Sequence, residues 1–547
     1  MNLRPIAVLA LLAVTTLVAL TLGVTGAPLT PDPSEGDVVR AATVPEAGGS
    51  VCVTGGGADD PVDLLLLAAP AGVPGAAVDA AEAEDASDVA ARGVVLTLGT
   101  TPSRVAVGPV EPGELDRLEA VTGADGWLWT GWADRPVAAW QEWRTPGAPG
   151  EPRGVVASAC LPADPRVQTL LGMRTDGGFE ALVRLANPFE ADATFAVTLV
   201  TEAGVVEPVA LRNVSVPGGE RVTVRLNDHV PEQPAVAAVV TVGAGRLAVE
   251  GLQRSIAAVG GIEGVVALPP ITAPSTTWTF PWVPAGPDVD GAVWVLNPEP
   301  RPVAVGLTVH TPQGATVPQE ERIEIAAGAL ARIDTADLVP DAARSFGLTL
   351  RSETTGVMAS VGAAFVASEP ERTGLVGFAG APVPDVEWSV AGAVVLGRET
   401  VLHVVNLDEQ PASVRVTLTT LRRATQPRPV EEGGEAEEGE DAEDAEQRPA
   451  VATGEERSIT VLTPGTLAPG ATLRIPLPVD GAGAFSAVVD GGRGLVVSRT
   501  TVGRDLLEPV AIAAVPSSAW RATGPALTGR AFDRWVASLP APGEVVD

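Results

Sequence analysis

The chain has 547 residues, a composition that is 46% hydrophobic but only 4% aromatic, and a formal net charge of −32 at neutral pH. This length predicts roughly three to four domains, each large enough to bury its own core. The acidic composition argues against nucleic acid, which needs a basic binding surface, and against electrostatic docking on anionic lipids.

The N-terminus carries the strongest local signal. Ile6 to Val24 is a run of 19 residues without a charge, preceded by Arg4 and followed by acidic residues. Such a run can just span a bilayer, and its flanking charges predict an N-in orientation with the bulk of the chain extracytoplasmic. We expect residues 1–27 to be a single-pass anchor in the cytoplasmic membrane, with residues 28–49 as a linker. The alternative is a cleaved signal peptide and a secreted protein.

A first, divergent β unit is predicted over residues 50–165. The chain's two cysteines, Cys52 and Cys160, bracket this unit at its opening and closing strands. In an oxidising extracytoplasmic space this placement favours a disulfide, and two free buried thiols are the alternative. No metal site is expected here, because no histidine lies near the cysteines at ligand spacing.

The closing hairpin of this unit is rich in tryptophan. It holds five of the eleven tryptophans of the chain, namely Trp127, Trp129, Trp132, Trp140 and Trp143. Exposed indole faces could stack on sugar rings, since they offer a large rigid apolar surface with one polar group. The interpretation that we favour is that these side chains fill the core or the join to the next unit.

The rest of the chain repeats one pattern. A period-two strand follows Asn187-Pro188, recurs 110 residues later after Asn297-Pro298, and recurs again after Asn406. Each copy continues with a Pro/Ala-Gly turn, a strand and a hairpin. It ends in an apolar residue followed by proline, which we call the exit segment, and a tryptophan follows soon after. The predicted repeats are residues 166–272, 273–385 and 386–516.

These patterns predict an all-β protein with tandem immunoglobulin-like β-sandwich units, because a repeat of about 110 residues with roughly seven short strands has the size of a whole sandwich. A propeller is the less favoured alternative, since repeats of about 20–50 residues are typical of propellers and solenoids. Within the third unit, alternation predicts that Val305 and Leu307 face the core while Thr308 lies on the opposite face.

The last repeat, residues 386–516, carries an acidic insertion at residues 424–456. Its centre, Glu431 to Gln447, has ten acidic residues and no basic one, which predicts a solvated, disordered loop. A calcium site is the alternative, but the spacing matches neither an EF-hand nor a β-roll. Residues 517–547 are predicted to be a C-terminal tail.

Few residues suggest catalysis. The chain has three histidines and no tyrosine, and no nucleophile elbow, P-loop or zincin helix is present. His310 and His403 fall on outward positions of the repeated strands and His229 falls in a turn, so all three are predicted to be surface residues. No cofactor and no bound metal are expected.

The anchor, the cysteine-bracketed first unit and the Asn-Pro/Thr and Pro-Gly repeats together resemble an actinobacterial envelope family of unknown function. The resemblance covers nearly the whole chain, and it implies a location on the outer side of the cytoplasmic membrane without any catalytic residues. We therefore expect a non-catalytic envelope protein, a structural or interaction scaffold. Its expected partners are the inner membrane, through the N-terminal segment, and cell-wall glycan or envelope proteins. The alternative is a glycan-binding or glycan-processing protein that uses the Trp127–Trp143 hairpin.

Overall fold

The protein is nearly all antiparallel β. Its structure is a computed structural model, which describes residues 49–516 apart from 53–60, 69–90, 99–102, 111–114, 122–126, 134–136, 147–151, 162–165, 256–261, 319–321, 340–343, 366–373, 394–397, 424–454, 480–481, 504–509 and 514. The described residues contain strands, three 3₁₀ turns and no α-helix, and none of them forms a helix long and apolar enough to cross a membrane. The all-β prediction is confirmed. The predicted N-terminal anchor and C-terminal tail, and almost all of the acidic insertion, lie outside the described residues.

The first unit contains two four-stranded sheets. Its strands are β1 (Gly49–Cys52), β2 (Pro61–Ala68), β3 (Ala91–Leu98), β4 (Ser103–Val110), β5 (Leu115–Val121), β6 (Trp127–Ala133), β7 (Val137–Pro146) and β8 (Arg153–Ala159). One sheet has the strand order β1-β6-β3-β4 and the other has the order β5-β2-β7-β8.

The second unit also has two sheets. Its strands are β9 (Val167–Met173), β10 (Phe179–Ala186), β11 (Ala193–Thr201), β12 (Gly204–Val206), β13 (Val214–Val216), β14 (Arg221–Arg225), β15 (Val236–Ala244), β16 (Ala248–Ser255) and β17 (Gly264–Leu268). The sheets have the orders β12-β11-β15-β9, with β13 also on β11, and β14-β10-β16-β17. Two 3₁₀ turns lie at Val209–Leu211 and Leu226–Asp228.

The third unit repeats this arrangement. Its strands are β18 (Thr277–Pro284), β19 (Val289–Leu296), β20 (Val303–Thr311), β21 (Gly314–Thr316), β22 (Arg322–Ile325), β23 (Leu330–Asp334), β24 (Ser345–Ser352), β25 (Met358–Phe365) and β26 (Gly374–Ala379), with a 3₁₀ turn at Thr335–Asp337. The sheets have the orders β18-β24-β20-β21, with β22 also on β20, and β23-β19-β25-β26.

In the fourth unit the two layers are joined by one long strand. Its strands are β27 (Asp385–Ala393), β28 (Arg398–Asn406), β29 (Ala412–Arg423), β30 (Glu455–Leu467), β31 (Thr472–Pro476), β32 (Ala484–Gly503), β33 (Val510–Ala513) and β34 (Val515–Pro516). The first part of β32 pairs with β27 and β29, and its second part pairs with β28 and β33. The eight strands therefore form a single sheet, where the second and third units each have two.

Each repeat encloses a core between its two layers. In the second unit, Phe195 and Val197 from β11 share one buried cluster with Val183 and Leu185 from β10. Period-two alternation aims these side chains inward, and burying each one contributes about 1.5–3 kcal/mol. Corresponding clusters fill the third and fourth units.

The asparagine of the repeated motif is buried, and its side-chain amide forms hydrogen bonds across a turn. Asn297 is fully buried, its amide nitrogen donates to the carbonyls of Arg301, Ile325 and Ala326, and its amide oxygen accepts from the Glu299 backbone N–H. Asn187 and Asn406 make the same kinds of bonds in their own units. Buried backbone carbonyls need hydrogen-bond donors, and the asparagine amide supplies them at this turn. These bonds determine where the following strand begins.

The first strand of every unit pairs with the exit segment of the same unit. Backbone bridges join Val51 to Leu161, Thr169 to Ile271 and Thr279 to Ala381, and in the fourth unit Ser389 pairs with Val515. The beginning and end of each unit are thus tied together by backbone hydrogen bonds.

A side chain next to this pairing donates to a backbone carbonyl in each repeat. Trp278 Nε1 donates to the Val357 carbonyl at 2.7 Å, and Trp388 Nε1 donates to the Leu495 carbonyl at 2.8 Å. In the second unit Gln168 Nε2 bonds the Leu247 carbonyl at 2.9 Å. One structural role is therefore filled by two different residue types at equivalent positions.

The four units form a closed circuit of contacts. The exit strands β8, β17, β26 and β33 belong to successive units; β8 contacts β17, β17 contacts β26, β26 contacts β33, and β33 returns to β8. We call the sheets β5-β2-β7-β8, β14-β10-β16-β17 and β23-β19-β25-β26, together with the β28, β31 and β33 layer, the inner layers. The fourth unit lies beside the first, so the repeats do not form an open row.

Glycine allows the exit strands to approach one another. A Cβ on Gly154 would lie 2.6 Å from Val265 Cγ1, and a Cβ on Gly264 would lie 2.8 Å from the backbone nitrogen of Leu375. Both distances are shorter than a Cβ atom keeps from any other heavy atom. A side chain at either position would therefore push neighbouring units apart.

The predicted phase of the repeated strand is confirmed. Val305 and Leu307 are buried in the core and Thr308 is only partly buried, because β20 pairs with β24 in unbroken register over this stretch. The same holds for the inward and outward residues of the other copies, which are Phe195, Val197, Val414 and Val416 inward and Thr198 and Thr417 outward.

Truncation at these positions tests the phase directly. Leu307→Ala leaves a cavity in the core and should cost about 2–5 kcal/mol. Thr308→Ala, its matched neighbour, should cost less than about 1 kcal/mol because it leaves no core cavity. Urea unfolding of the two variants measures both, and equal losses would show that the strand faces are wrongly assigned.

Candidate functional site

The two cysteines form a disulfide. Cys52 and Cys160 are bonded, which joins the end of β1 to the residue that follows β8. Cys52 is fully buried, and the adjacent backbone bridge between Val51 and Leu161 brings the two chain segments together. Closing a loop of 108 residues stabilises the fold by about 4–5 kcal/mol in the chain-entropy model.

The tryptophan hairpin divides into two parts. Trp140 and Trp143 on β7 are buried, 0% and 2% exposed, and neither indole N–H has a hydrogen-bond acceptor among the described residues. Trp140 packs in a cluster with residues of the fourth unit, and Trp143 packs in a cluster with residues of the second. These two side chains fill joins between units and present no stacking surface. For Trp127, Trp129 and Trp132 the structure describes the backbone of β6 but not the side chains.

The surface prediction for two histidines is wrong. His310 is 3% exposed and His403 is 9% exposed. Both point away from the core of their own unit, as expected, but the space that they point into is occupied by the neighbouring unit. His229 is partly buried at the 3₁₀ turn after β14.

His310 bonds across the junction between the third and fourth units. Its Nδ1 lies 2.9 Å from the Gly470 carbonyl of the fourth unit, and its Nε2 lies 2.8 Å from Thr349 Oγ1. Because a carbonyl only accepts, Nδ1 carries the proton and Nε2 accepts from the threonine hydroxyl. Burial lowers the pKa of His310, against an opposing effect of the Gly470 carbonyl.

His403 lies at the same junction from the other side. Its Nε2 is 2.8 Å from Thr500 Oγ1, and its ring lies against the Trp282 ring of the third unit at a centroid distance of 5.8 Å. Burial, with a smaller contribution from the positive charge of Arg474, lowers the pKa of His403 to about 3. Both imidazoles are therefore neutral at neutral pH.

A buried ionic network joins the first and second units. Glu250 of β16 pairs with Arg184 of β10 and accepts hydrogen bonds from Ser158 at 2.9 Å and Gln141 at 3.3 Å, both in the first unit. Burial raises the pKa of Glu250, while Arg184 and the hydrogen bonds from the first unit lower it. The Glu250 carboxylate therefore stabilises the junction between the first and second units.

A second buried ion pair closes the circuit. Arg499 of β32 donates to Glu142 of β7 at 2.6 Å, and the two side chains are 1% and 6% exposed. Arg499 also donates to the Ala391 carbonyl at 2.7 Å, and a Cβ on Gly392 would overlap its guanidinium. The first and last units are thus joined by a charge pair that is shielded from water.

The second and third units share a more exposed ionic contact. Arg174 pairs with Asp176 at 3.0 Å and with Asp290 of the third unit at 2.5 Å. Desolvation lowers the pKa of Arg174, but the hydrogen bonds and charges of the two aspartates outweigh it, so that the pKa is raised. Among the described residues, no group of three or more His, Cys, Asp or Glu side chains lies close enough to hold a metal ion.

One carboxylate outside the junctions has a shifted pKa. Burial raises the pKa of Glu387, and the negative charges of Asp490 and Asp385 raise it further. Glu387 and Asp490 are paired across β27 and β32. Burial, together with repulsion between these neighbouring acids, explains the shift without a ligand.

The disulfide predicts a simple thiol count. The denatured protein should show no free thiol without reductant and two after reduction, because the chain contains only two cysteines. Labelling with a maleimide followed by mass spectrometry measures the count, and two labelled thiols in the unreduced protein would contradict the bond.

The buried ion pair predicts a large single-substitution effect. Arg499→Met leaves Glu142 buried without a cation and should cost about 3–5 kcal/mol, whereas adding Glu142→Gln should recover much of that loss. Arg474→Met is the matched control, since it removes a pair with Glu399 in which both side chains are more than half exposed, and it should cost less than about 1 kcal/mol. Equal unfolding midpoints for the two single variants would contradict the buried pair.

Comparison with known proteins identifies one family model. Residues 124–364 match a family of unknown function (DUF5719). No curated protein matches the chain. A solved structure of Streptomyces avermitilis alpha-L-rhamnosidase complexed with L-rhamnose is matched at 8% identity over 84% of this chain and 57% of that one, with a TM-score of 0.11, too low to indicate a shared fold. The part of the chain from the closing hairpin of the first unit to the end of β25 thus matches a family whose function is not known, in agreement with the resemblance to an uncharacterised family.

Proposed function

We propose that the protein is a non-catalytic, extracytoplasmic cell-envelope protein that acts as a structural or interaction scaffold. The observation that carries the proposal is the use of its buried titratable side chains. Glu250, Arg499 and the two junction histidines are all committed to contacts between units. They stabilise an arrangement of four units, as a scaffold requires.

The units of the proposed scaffold are immunoglobulin-like β-sandwiches. Two antiparallel layers around a shared core, at a repeat length of about 110 residues, support this assignment. The closed contacts between inner layers would keep the outer layers at fixed positions, where they can present edges and loops to partners.

The proposed location rests on two features. The uncharged run Ile6 to Val24 supports a single-pass anchor in the cytoplasmic membrane, with the N-terminus inside and the β units outside. The Cys52–Cys160 disulfide supports an oxidising compartment, because such bonds are rare in the cytosol. Cleavage of the N-terminal segment would give a secreted protein with the same fold.

A topology fusion tests the location. Alkaline phosphatase joined to the C-terminus should be active, because this enzyme folds only in an oxidising compartment, and a fluorescent protein that fails to mature outside the cytoplasm should stay dark in the same position. An inactive phosphatase together with a fluorescent fusion would contradict an extracytoplasmic protein.

A binding and hydrolysis assay tests the scaffold proposal against the glycan alternative. The purified β units are incubated with cell-wall glycan, and both retention and released products are measured. We expect no released product, and the same retention for the wild type and for a Trp127→Ala, Trp129→Ala, Trp132→Ala variant. Retention that is lost in the variant would assign the protein to glycan binding, and released sugar would overturn the non-catalytic assignment.

A further inference from the structure

Two buried imidazoles lie on opposite sides of one junction. His310 extends from β20 of the third unit to the Gly470 carbonyl of the fourth, and His403 extends from β28 of the fourth unit to Trp282 of the third. The two units approach closely here, since a Cβ on Gly470 would lie 2.7 Å from Ala315 Cβ. Each histidine thus depends on the neighbouring unit for its burial.

We propose that the junction between the third and fourth units is an acid-sensitive latch, which opens when His310 and His403 take up protons. Opening separates these two units and exposes the faces that cover each imidazole. This inference goes beyond the scaffold function and does not depend on it.

Within the part of the chain that the structure describes, no carboxylate bonds His403 or could pair with a new positive charge there. The residues opposite it on the neighbouring strands are Ser498 on β32 and Arg474 on β31, and Trp282 lies against its ring. Arg474 is itself cationic, and the nearby Glu399 already pairs with it at 2.6 Å. Protonation would therefore bury a cation beside a like charge, which an open junction would relieve by admitting water.

Among the described residues, the groups that contact His310 are uncharged. Its opposite strand neighbours are Gly347 on β24 and Ala315 on β21, and its ring bonds Thr349 and Gly470. The Thr349 hydroxyl lies 3.1 Å from Thr279 Oγ1, so a neutral chain of hydrogen bonds ends at the imidazole. A proton on Nε2 would reverse that chain and leave an unpaired charge in an apolar join.

The direction of the pH effect follows from the lowered pKa values. A histidine whose pKa is below its ordinary 6.5 in the closed state binds protons more readily once the junction opens. Its stabilising contribution is complete above about pH 6.5 and is lost as the pH falls toward the closed-state pKa, which is about 3 for His403. Over this window the protonation of His403 raises the equilibrium constant for opening the junction by up to about tenfold per pH unit, and His310 acts in the same direction.

The junction between the first and second units responds differently. It is held by Glu250 and Arg184, and the pKa of Glu250 is raised by burial, so a fall in pH through the ordinary carboxyl range does not oppose the closed state there. His229 lies at a turn of the second unit, with no recorded bond to the third or fourth unit among the described residues. Mild acid should therefore open the junction between the third and fourth units and leave the junction between the first and second units closed.

Native-state hydrogen exchange at about pH 7 and about pH 5 tests the latch on the full chain, after correction for intrinsic exchange rates. In the wild type, protection of β20, β28 and β31 should fall by at least about tenfold between these conditions, while protection of β10 and β16 should hold. In a His310→Gln, His403→Gln variant the pH dependence should disappear. His229→Gln is the matched control and should behave as the wild type.

Junction protection that is independent of pH, or a pH dependence that persists in the double variant, would overturn the latch. If the double variant does not fold, imidazole NMR signals of the wild type decide the question, since the chain has three histidines. Two imidazoles should remain neutral below pH 6.5 until exchange at the junction accelerates. Titration of these two at the ordinary pKa with unchanged exchange would contradict the proposal.

Discussion

The architecture depends on strands that are buried on both faces. In the inner layers, Leu64 to Ala68 of β2 and Thr400 to Asn406 of β28 are buried at every position, and β10 and β19 are buried along most of their length. A single sandwich can cover only one face of such a strand. The other face must be covered by something else, and here it is covered by the next unit.

This constraint accounts for the closed circuit. Each inner layer has one face that its own sandwich does not cover, and an open row of units would leave the faces at its two ends in water. Contact between β33 and β8, with the Arg499–Glu142 pair and the cluster around Trp140, covers the last of these faces. Gly154 of β8 and Gly264 of β17 allow neighbouring exit strands to approach one another.

The sequence predicted the features that local chemistry controls. Strand phase, the all-β class and the disulfide follow from alternation, from the Asn-Pro turn and from two cysteines bracketing one unit. The hydrogen bonds of Asn297 explain why the motif recurs in each repeat, since its amide donates to carbonyls that are far apart in sequence. A continuous run such as Leu64 to Leu67 also carried a signal for burial on both faces, but alternation in the outer strands is the more obvious pattern.

What the sequence could not show is which residues lie at joins. His310 and His403 occupy outward positions, and a pattern of one buried face assigns such positions to solvent. Their burial depends on residues such as Gly470 and Trp282 in another unit, and no local period encodes that contact. Arg499 and Glu142 are separated by 357 residues, so only the three-dimensional arrangement pairs them.

Chemical cross-linking between the first and fourth units tests whether the circuit is closed. Arg117 of the first unit lies beside Gly483 of the fourth, with Nη1 2.9 Å from the position of a Gly483 Cβ. In an Arg117→Cys, Gly483→Cys variant, a short bis-maleimide should join the first and fourth units within one monomer. An Arg322→Cys, Glu353→Cys variant within the third unit serves as the positive control, because that exposed pair lies at 2.9 Å. A control that cross-links while the first and fourth units stay unlinked would show that the units form an open row.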